Sequence, residues 1–169
     1  NPQVLISGCG TGANSIVSAF WFKNCDVLAI DLSLSSLAFA KRKTKELGIS
    51  NIDYMQADIL DLETLDRKFD IIDSSGVLHH MDDPMAGWKV LTDCLKTGGL
   101  MRIGLYSELA RRHIVQIRDE IEQSNIESSH DAMKSFRNKI ISSEEEHHKL
   151  IVESPDFYSM STLRDLLFH

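Results

Sequence analysis

The sequence predicts an α/β domain, a parallel sheet with helices on both faces, followed by a helical extension. Three observations carry this. Short apolar runs alternate with helix-forming stretches from residue 4 to residue 105, and such alternation with short links favours parallel strands joined by crossover helices. The first apolar run enters a glycine turn, Gly8-Cys9-Gly10-Thr11-Gly12, and the second ends in Asp31. From residue 107 to residue 152 the spacing is helical and no strand-like run remains.

Each element follows from local chemistry. Residues 4–7 form a first strand, an apolar run of the kind buried in parallel sheets. Residues 14–22 are helical and 27–30 are a second strand. Ser33 caps a helix that runs to 47, with Gly48 just past its end. Residues 52–56 are a third strand, 61–65 at most a short helix, and 69–73 a fourth strand. Asp83 before Pro84 reads as N-cap and first helical residue of a helix to about 95. Gly98-Gly99 makes a turn into a fifth strand at 100–105. Beyond it, Ile114, Ile117 and Ile121, and later Ile140 and Ile141, fall at spacings that build apolar helix faces. Two helices, 107–124 and 129–152, are expected to join near Ser128-Ser129; Pro155 breaks the pattern and a last helix starts near Ser161.

Composition narrows the function. The 169 residues carry a net charge of −7 and no basic stripe, so nucleic-acid binding has no electrostatic support. Lys41-Arg42-Lys43 reads as a solvated helix face. Cys9, Cys25 and Cys94 are odd in number and lack C-x-x-C spacing, which suits a reduced, cytoplasmic setting better than a disulfide framework. No apolar stretch has transmembrane length and no signal peptide is visible, so no membrane partner is expected. The chain starts at Asn1 just before a strand, and its last helix stops in mid-pattern at His169. A fragment of a longer protein, with additional domains outside it, is the expectation.

The glycine turn and Asp31 have the form of a β-α-β nucleotide-binding unit. Glycines without Cβ let the backbone approach a ligand, and a carboxylate at the tip of the next strand can accept from two ribose hydroxyls. Read as Gly8-x-Gly10-x-x-Ala13, the turn also fits a dinucleotide fingerprint. Three further segments fall at strand C-terminal ends, where open α/β sheets bind ligands. In Gln56-Ala57-Asp58-Ile59, Asp58 suits an adenine amine and the Ile59 N–H a ring nitrogen, unless Asp58 simply caps the next short helix. In Ser74-Ser75-Gly76-Val77-Leu78-His79-His80, His79 is expected to line the pocket and is the candidate base, and His80 to pack under the loop. Tyr106 either faces an acceptor or closes the end of the sheet. Glu144-Glu145-Glu146-His147-His148 is not an H-E-x-x-H pattern and reads as a solvated helix face, so no metal is expected. Cys9 reads as a small filler inside the loop.

Residues 4–105 as a whole resemble the class I S-adenosylmethionine-dependent methyltransferases. Val4-Leu5-Ile6-Ser7-Gly8-Cys9-Gly10-Thr11-Gly12 is similar to that family's first motif, Asp31-Leu32 to its ribose-binding acid and apolar neighbour, and Ala57-Asp58-Ile59 to its adenine-contacting segment. Phe69 through Pro84 resembles its fourth motif, in the form common among small-molecule enzymes, and Leu95 through Leu100 the turn into its fifth strand. The resemblance implies a Rossmann-like parallel sheet in the order 3-2-1-4-5, with the family's last two strands outside this chain. It implies an S-adenosylmethionine-binding core over 1–106 and a truncated helical insertion or lid over 107–169. Ser7, Gly8, Cys9, Gly10, Gly12, Asp31, Leu32, Asp58, Ile59, Ser74 and Gly76 would hold the cofactor, and His79 and Tyr106 the acceptor. One departure stands out: the family usually has an acid two residues before the first glycine, and here that position is Ile6. The expected activity is in-line methyl transfer to an unidentified acceptor. An NAD-dependent oxidoreductase and a non-catalytic binding module of the same fold are the alternatives.

Overall fold

The computed structural model describes residues 1–168. The chain divides into two compact units, Asn1–Leu105 and the residues from Tyr106 onward.

The first unit is a five-stranded parallel sheet in the order β3-β2-β1-β4-β5. Its strands are β1 (Gln3–Ser7), β2 (Asp26–Asp31), β3 (Ile52–Gln56), β4 (Phe69–Ser75) and β5 (Leu95–Gly104). Helices α1 (Ala13–Trp21), α2 (Leu34–Glu46) and α3 (Pro84–Asp93) connect them, with 3₁₀ turns at Ile59–Leu65 and Leu78–His80. Alternation of side chains along β1 splits the core in two. Leu5, with Ile72, Leu78, Leu91 and Leu62, fills one face, and Val4 and Ile6, with Ala19, Ala29 and Leu37, fill the other. Leu5 and Ile72 are fully buried, each worth about 1.5–3 kcal/mol relative to exposure.

The caps form as the side chains dictate. The Ser33 hydroxyl accepts from the Ser36 N–H at the start of α2, and the Asp83 carboxylate accepts from Met85 and Ala86 at the start of α3. The expected turn at Gly98-Gly99 is instead an outward loop within β5. Phe69 pairs with Leu95 and Ile71 with Leu100, so four residues bulge out of the ladder.

The second unit is helical: α4 (Arg112–Gln123), α5 (His130–Ile141), α6 (Glu146–Val152) and α7 (Met160–Leu167), with a 3₁₀ turn at Pro155–Phe157. Ile114, Ile117 and Ile121 of α4 meet Phe136 and Ile140 of α5, Ile151 of α6 and Leu163 of α7 in its core. Ile141, one step round α5, is half exposed. Two expectations need correction. The single helix over 129–152 is broken, because the Ser142 hydroxyl bonds back to the Asn138 carbonyl and the Ser143 hydroxyl accepts from the Glu145 N–H, side-chain bonds that compete with helix continuation. The Glu144–His148 run is a solvated face only in its three glutamates, which are exposed; His148 is 1% exposed, packed toward Glu120 of α4.

Among the described residues no helix is long and apolar enough to cross a membrane.

Candidate active site

The site is built where the chain leaves β1. Gly8 and Gly10 take left-handed φ values of 69° and 52°, which turns the backbone back so that the Cys9 N–H bonds the Ile30 carbonyl at 2.9 Å. The Asp31 carboxylate, at the tip of β2, then fastens the turn. One oxygen accepts from the Gly10 N–H at 2.7 Å and the other from the Ser33 N–H at 2.8 Å. A carboxylate has about four acceptor positions, so Asp31 keeps one on each oxygen for a ligand. Charge-assisted bonds of this kind are stronger than neutral ones, which makes Asp31 the organiser of the loop.

A cleft of about 430 Å³ opens at this point, walled by Gly8, Asp31, Leu32, Asp58, Ile59 and His80, among others. The strand ends bring these residues together from β1, β2, β3 and β4, which is where open α/β sheets bind ligands. Its walls are largely apolar, with carboxylates at Asp31, Asp58, Asp82 and Asp83. Asp58 caps the 3₁₀ turn, one oxygen accepting from the Leu60 N–H at 3.0 Å, and the residue also walls the cleft.

Of the sequence-predicted residues, Gly8, Asp31, Leu32, Asp58 and Ile59 line this cleft; Ser7, Cys9, Gly10, Gly12, Ser74, Gly76 and His79 do not. The two histidines exchange places: His80 is in the wall and His79 is not, because the 3₁₀ turn that buries Leu78 carries the second ring to the opening. Tyr106 starts the helical unit, with the Arg111 guanidinium 3.2 Å from its ring centroid. Gly12 serves packing, since a Cβ there would stand 2.6 Å from the Ala40 Cβ of α2. Val77, Met81 and Leu60 line the cleft unforeseen; Val77 and Met81 lie inside the fourth-motif segment and Leu60 directly follows the adenine segment, and adjacency to those motifs was the available signal.

Cys9 points into the core, 7% exposed, where burial and then the Asp31 charge push its thiol up to about 11. Two pH units above the ordinary value leave about a hundredfold less thiolate. Cys25 and Cys94 are also buried and shifted upward, chiefly by burial. The native chain should therefore show no fast-reacting thiol toward an aromatic disulfide at pH 8, and all three should react in guanidinium. A rapidly labelled Cys9 would contradict the buried placement.

The Ile6 departure has a structural counterpart. Ile6 is buried, and its rung partner on β4 is Asp73. That carboxylate accepts from the Ser75 hydroxyl at 2.7 Å and from the Arg102 Nε at 3.0 Å, so it is already neutralised. One residue further along, Ser7 and Ser74 are buried with hydroxyls that have no partner among the described residues. Buried polar atoms are normally satisfied, and this pair is the unfilled hydrogen-bonding capacity of the strand ends. A larger hollow of about 640 Å³ lies along β1 and β4, lined by Ile6, Trp21, Phe22, Ile71 and Arg102. Its lining includes Pro2, just ahead of β1, and Asn24 and Cys25, just ahead of β2, and no part of the glycine turn.

Residues 4–99 match a family model described as a methyltransferase domain. The chain is 35% identical over 121 residues to an uncharacterized protein of Synechococcus sp., covering 71% of this chain and 29% of that protein. It is 33% identical over 99 residues to (S)-coclaurine N-methyltransferase of Papaver somniferum, covering 59% and 28%. Among solved structures, PKMT2 from Rickettsia typhi in complex with AdoHcy is similar with a TM-score of 0.72 at 23% identity, over 93% of this chain and 33% of that one. The chain thus spans about a third of the length of the proteins it matches.

Proposed function

Since the chain belongs to the methyltransferase-domain family and carries a class I S-adenosylmethionine-dependent methyltransferase domain, we propose that the protein transfers a methyl group from S-adenosylmethionine to an acceptor by in-line displacement. The observation that carries this reading is the convergence of Gly8, Asp31, Leu32, Asp58 and Ile59 on one cleft at the strand ends. The residues fit the cofactor. Asp31 retains acceptor positions after holding Gly10 and Ser33, and the floor at Gly8 admits no side chain, since a Cβ would lie 2.2 Å from Val77.

When bound, S-adenosylmethionine supplies a methyl already activated by the positive charge on its sulfur. The chain's own work is binding and orientation. Asp31 accepts from the two ribose hydroxyls while holding the glycine turn in place. Leu32, Ile59 and Leu60 supply apolar walls for the adenine, and the Asp58 oxygen left over from capping accepts from its amine. The polar methionine end falls to loop carbonyls at Ser7, Gly8 and Ser74, behind which lie the buried Ser7 and Ser74 hydroxyls that have no partner among the described residues. With Ile6 in place of an acid and Asp73 tied to Arg102, that end is held by neutral groups. His80, the ring in the cleft wall, is the imidazole that this reading sets beside the cofactor.

Titration calorimetry with S-adenosylhomocysteine, with NAD⁺ in parallel, tests the reading. Binding of S-adenosylhomocysteine in the micromolar range, with no heat from NAD⁺, is the expected result. Binding of NAD⁺ alone would return the oxidoreductase reading.

A further inference from the structure

The helical unit carries a second convergence of side chains. Glu120 projects from α4, Glu145 stands at the N-terminus of α6, and His147 and His148 occupy its first turn. One ligand atom from each lies within 4.8 Å of all the others. His148 Nε2 is 3.1 Å from one Glu120 oxygen, His147 Nε2 is 2.5 Å from the other, and His147 Nε2 is 3.3 Å from Glu145. Bonds of about 2.0–2.1 Å in a tetrahedral zinc site put neighbouring ligand atoms about 3.3 Å apart. Of these three contacts two already stand near that value and the third opens by less than about 1 Å, while the remaining pairs, all within 4.8 Å, close onto the ion.

The surroundings match a metal centre in two ways. His148 is 1% exposed and His147 18%, so the imidazoles are held inside while Glu145 remains at the surface. His148 Nδ1 is 2.7 Å from the Ser143 hydroxyl, a bond that orients the ring and turns Nε2 toward Glu120, as outer partners do for metal-bound histidines. A hollow of about 330 Å³ lined by Leu109, Arg112, His113 and Gln116 reaches His147, one member of the cluster. Two nitrogens and carboxylate oxygens suit a borderline cation; calcium and magnesium prefer oxygen alone.

We propose that Glu120, Glu145, His147 and His148 form a binding site for a zinc-class divalent cation, which clamps α6 to α4. The metal joins α4 to α6, a helix of seven residues, and binding energy at such a site adds to the stability of the fold. The site is separate in the chain from the cofactor cleft and its test does not depend on methyl transfer.

The whole chain, stripped with a chelator, is titrated with Zn²⁺ by calorimetry and with Co²⁺ by visible absorption. Expected are one equivalent of Zn²⁺ per chain, the intense Co²⁺ bands of a four-coordinate site, and a higher Tm with Zn²⁺. Glu120→Gln and His147→Asn should each weaken binding at least a hundredfold, while Glu122→Gln on the same helix binds as the parent does. Circular dichroism of the metal-free variants shows that the fold is retained, and partly exposed His147 serves if Glu120→Gln unfolds. Substoichiometric binding, or a folded variant that binds as tightly as the parent, would overturn the site.

Discussion

Asp31→Ala is expected to weaken S-adenosylhomocysteine binding by at least a hundredfold. The carboxylate carries two duties that fail together. It offers acceptor positions to the ribose hydroxyls, and hydrogen bonds to a charged group contribute about 1.5–3 kcal/mol each. It also accepts from the Gly10 and Ser33 N–H groups, so its loss releases the turn that shapes the cleft floor. Even one ribose bond at about 3 kcal/mol corresponds to roughly a hundredfold in dissociation constant. Asp31→Asn separates the duties. An amide fills the same volume and keeps one acceptor oxygen, so the loop should hold partly while ribose binding falls; its affinity should lie between parent and Ala. Calorimetry gives the affinities, and thermal melts of the ligand-free proteins give the cost to the loop. A change below threefold in Asp31→Ala would remove the residue from the cofactor site.

The parts of this molecule legible in the sequence are those with a period or a fixed chemical partner. The strands announce themselves as apolar runs, and Ser33 and Asp83 as caps, because each acts on residues within one turn of itself. Asp31 was legible because a strand-tip carboxylate after a glycine turn has few other uses. The rest depends on geometry that spacing does not carry. Which of His79 and His80 reaches the cleft is decided by one 3₁₀ turn anchored on Leu78. Cys9 lies within the loop motif, yet its side chain belongs to the core, since adjacent residues in a tight turn point to different sides. His148 reads as surface in a charged run and is buried because α4, more than twenty residues earlier, brings Glu120 against it. Long-range contacts of that kind leave no local mark.

Gly8→Ala should be the most damaging single methyl in the first unit. The residue sits at φ 69°, and an added Cβ would lie 2.2 Å and 2.8 Å from the two Val77 methyls. A left-handed conformation costs an L-residue about 1–2 kcal/mol, and forcing a methyl into filled space adds about 1–3 kcal/mol. The expected loss of stability is therefore about 2–5 kcal/mol, accompanied by loss of cofactor binding, because relief requires Val77 to move and Val77 is itself part of the cleft wall. Gly10→Ala isolates the two contributions. Its φ is 52°, and a Cβ added there would meet no described atom within 4 Å, so only the backbone cost of about 1–2 kcal/mol applies. The double variant Gly8→Ala, Val77→Ala removes the obstructing methyls and should recover about 1–3 kcal/mol relative to the sum of the single changes. Urea denaturation of the parent, the single variants Gly8→Ala, Val77→Ala and Gly10→Ala, and the double variant measures this coupling. Equal losses for Gly8→Ala and Gly10→Ala, with no recovery in the double variant, would mean that the close approach of the glycine turn to Val77 is not what requires a glycine at position 8.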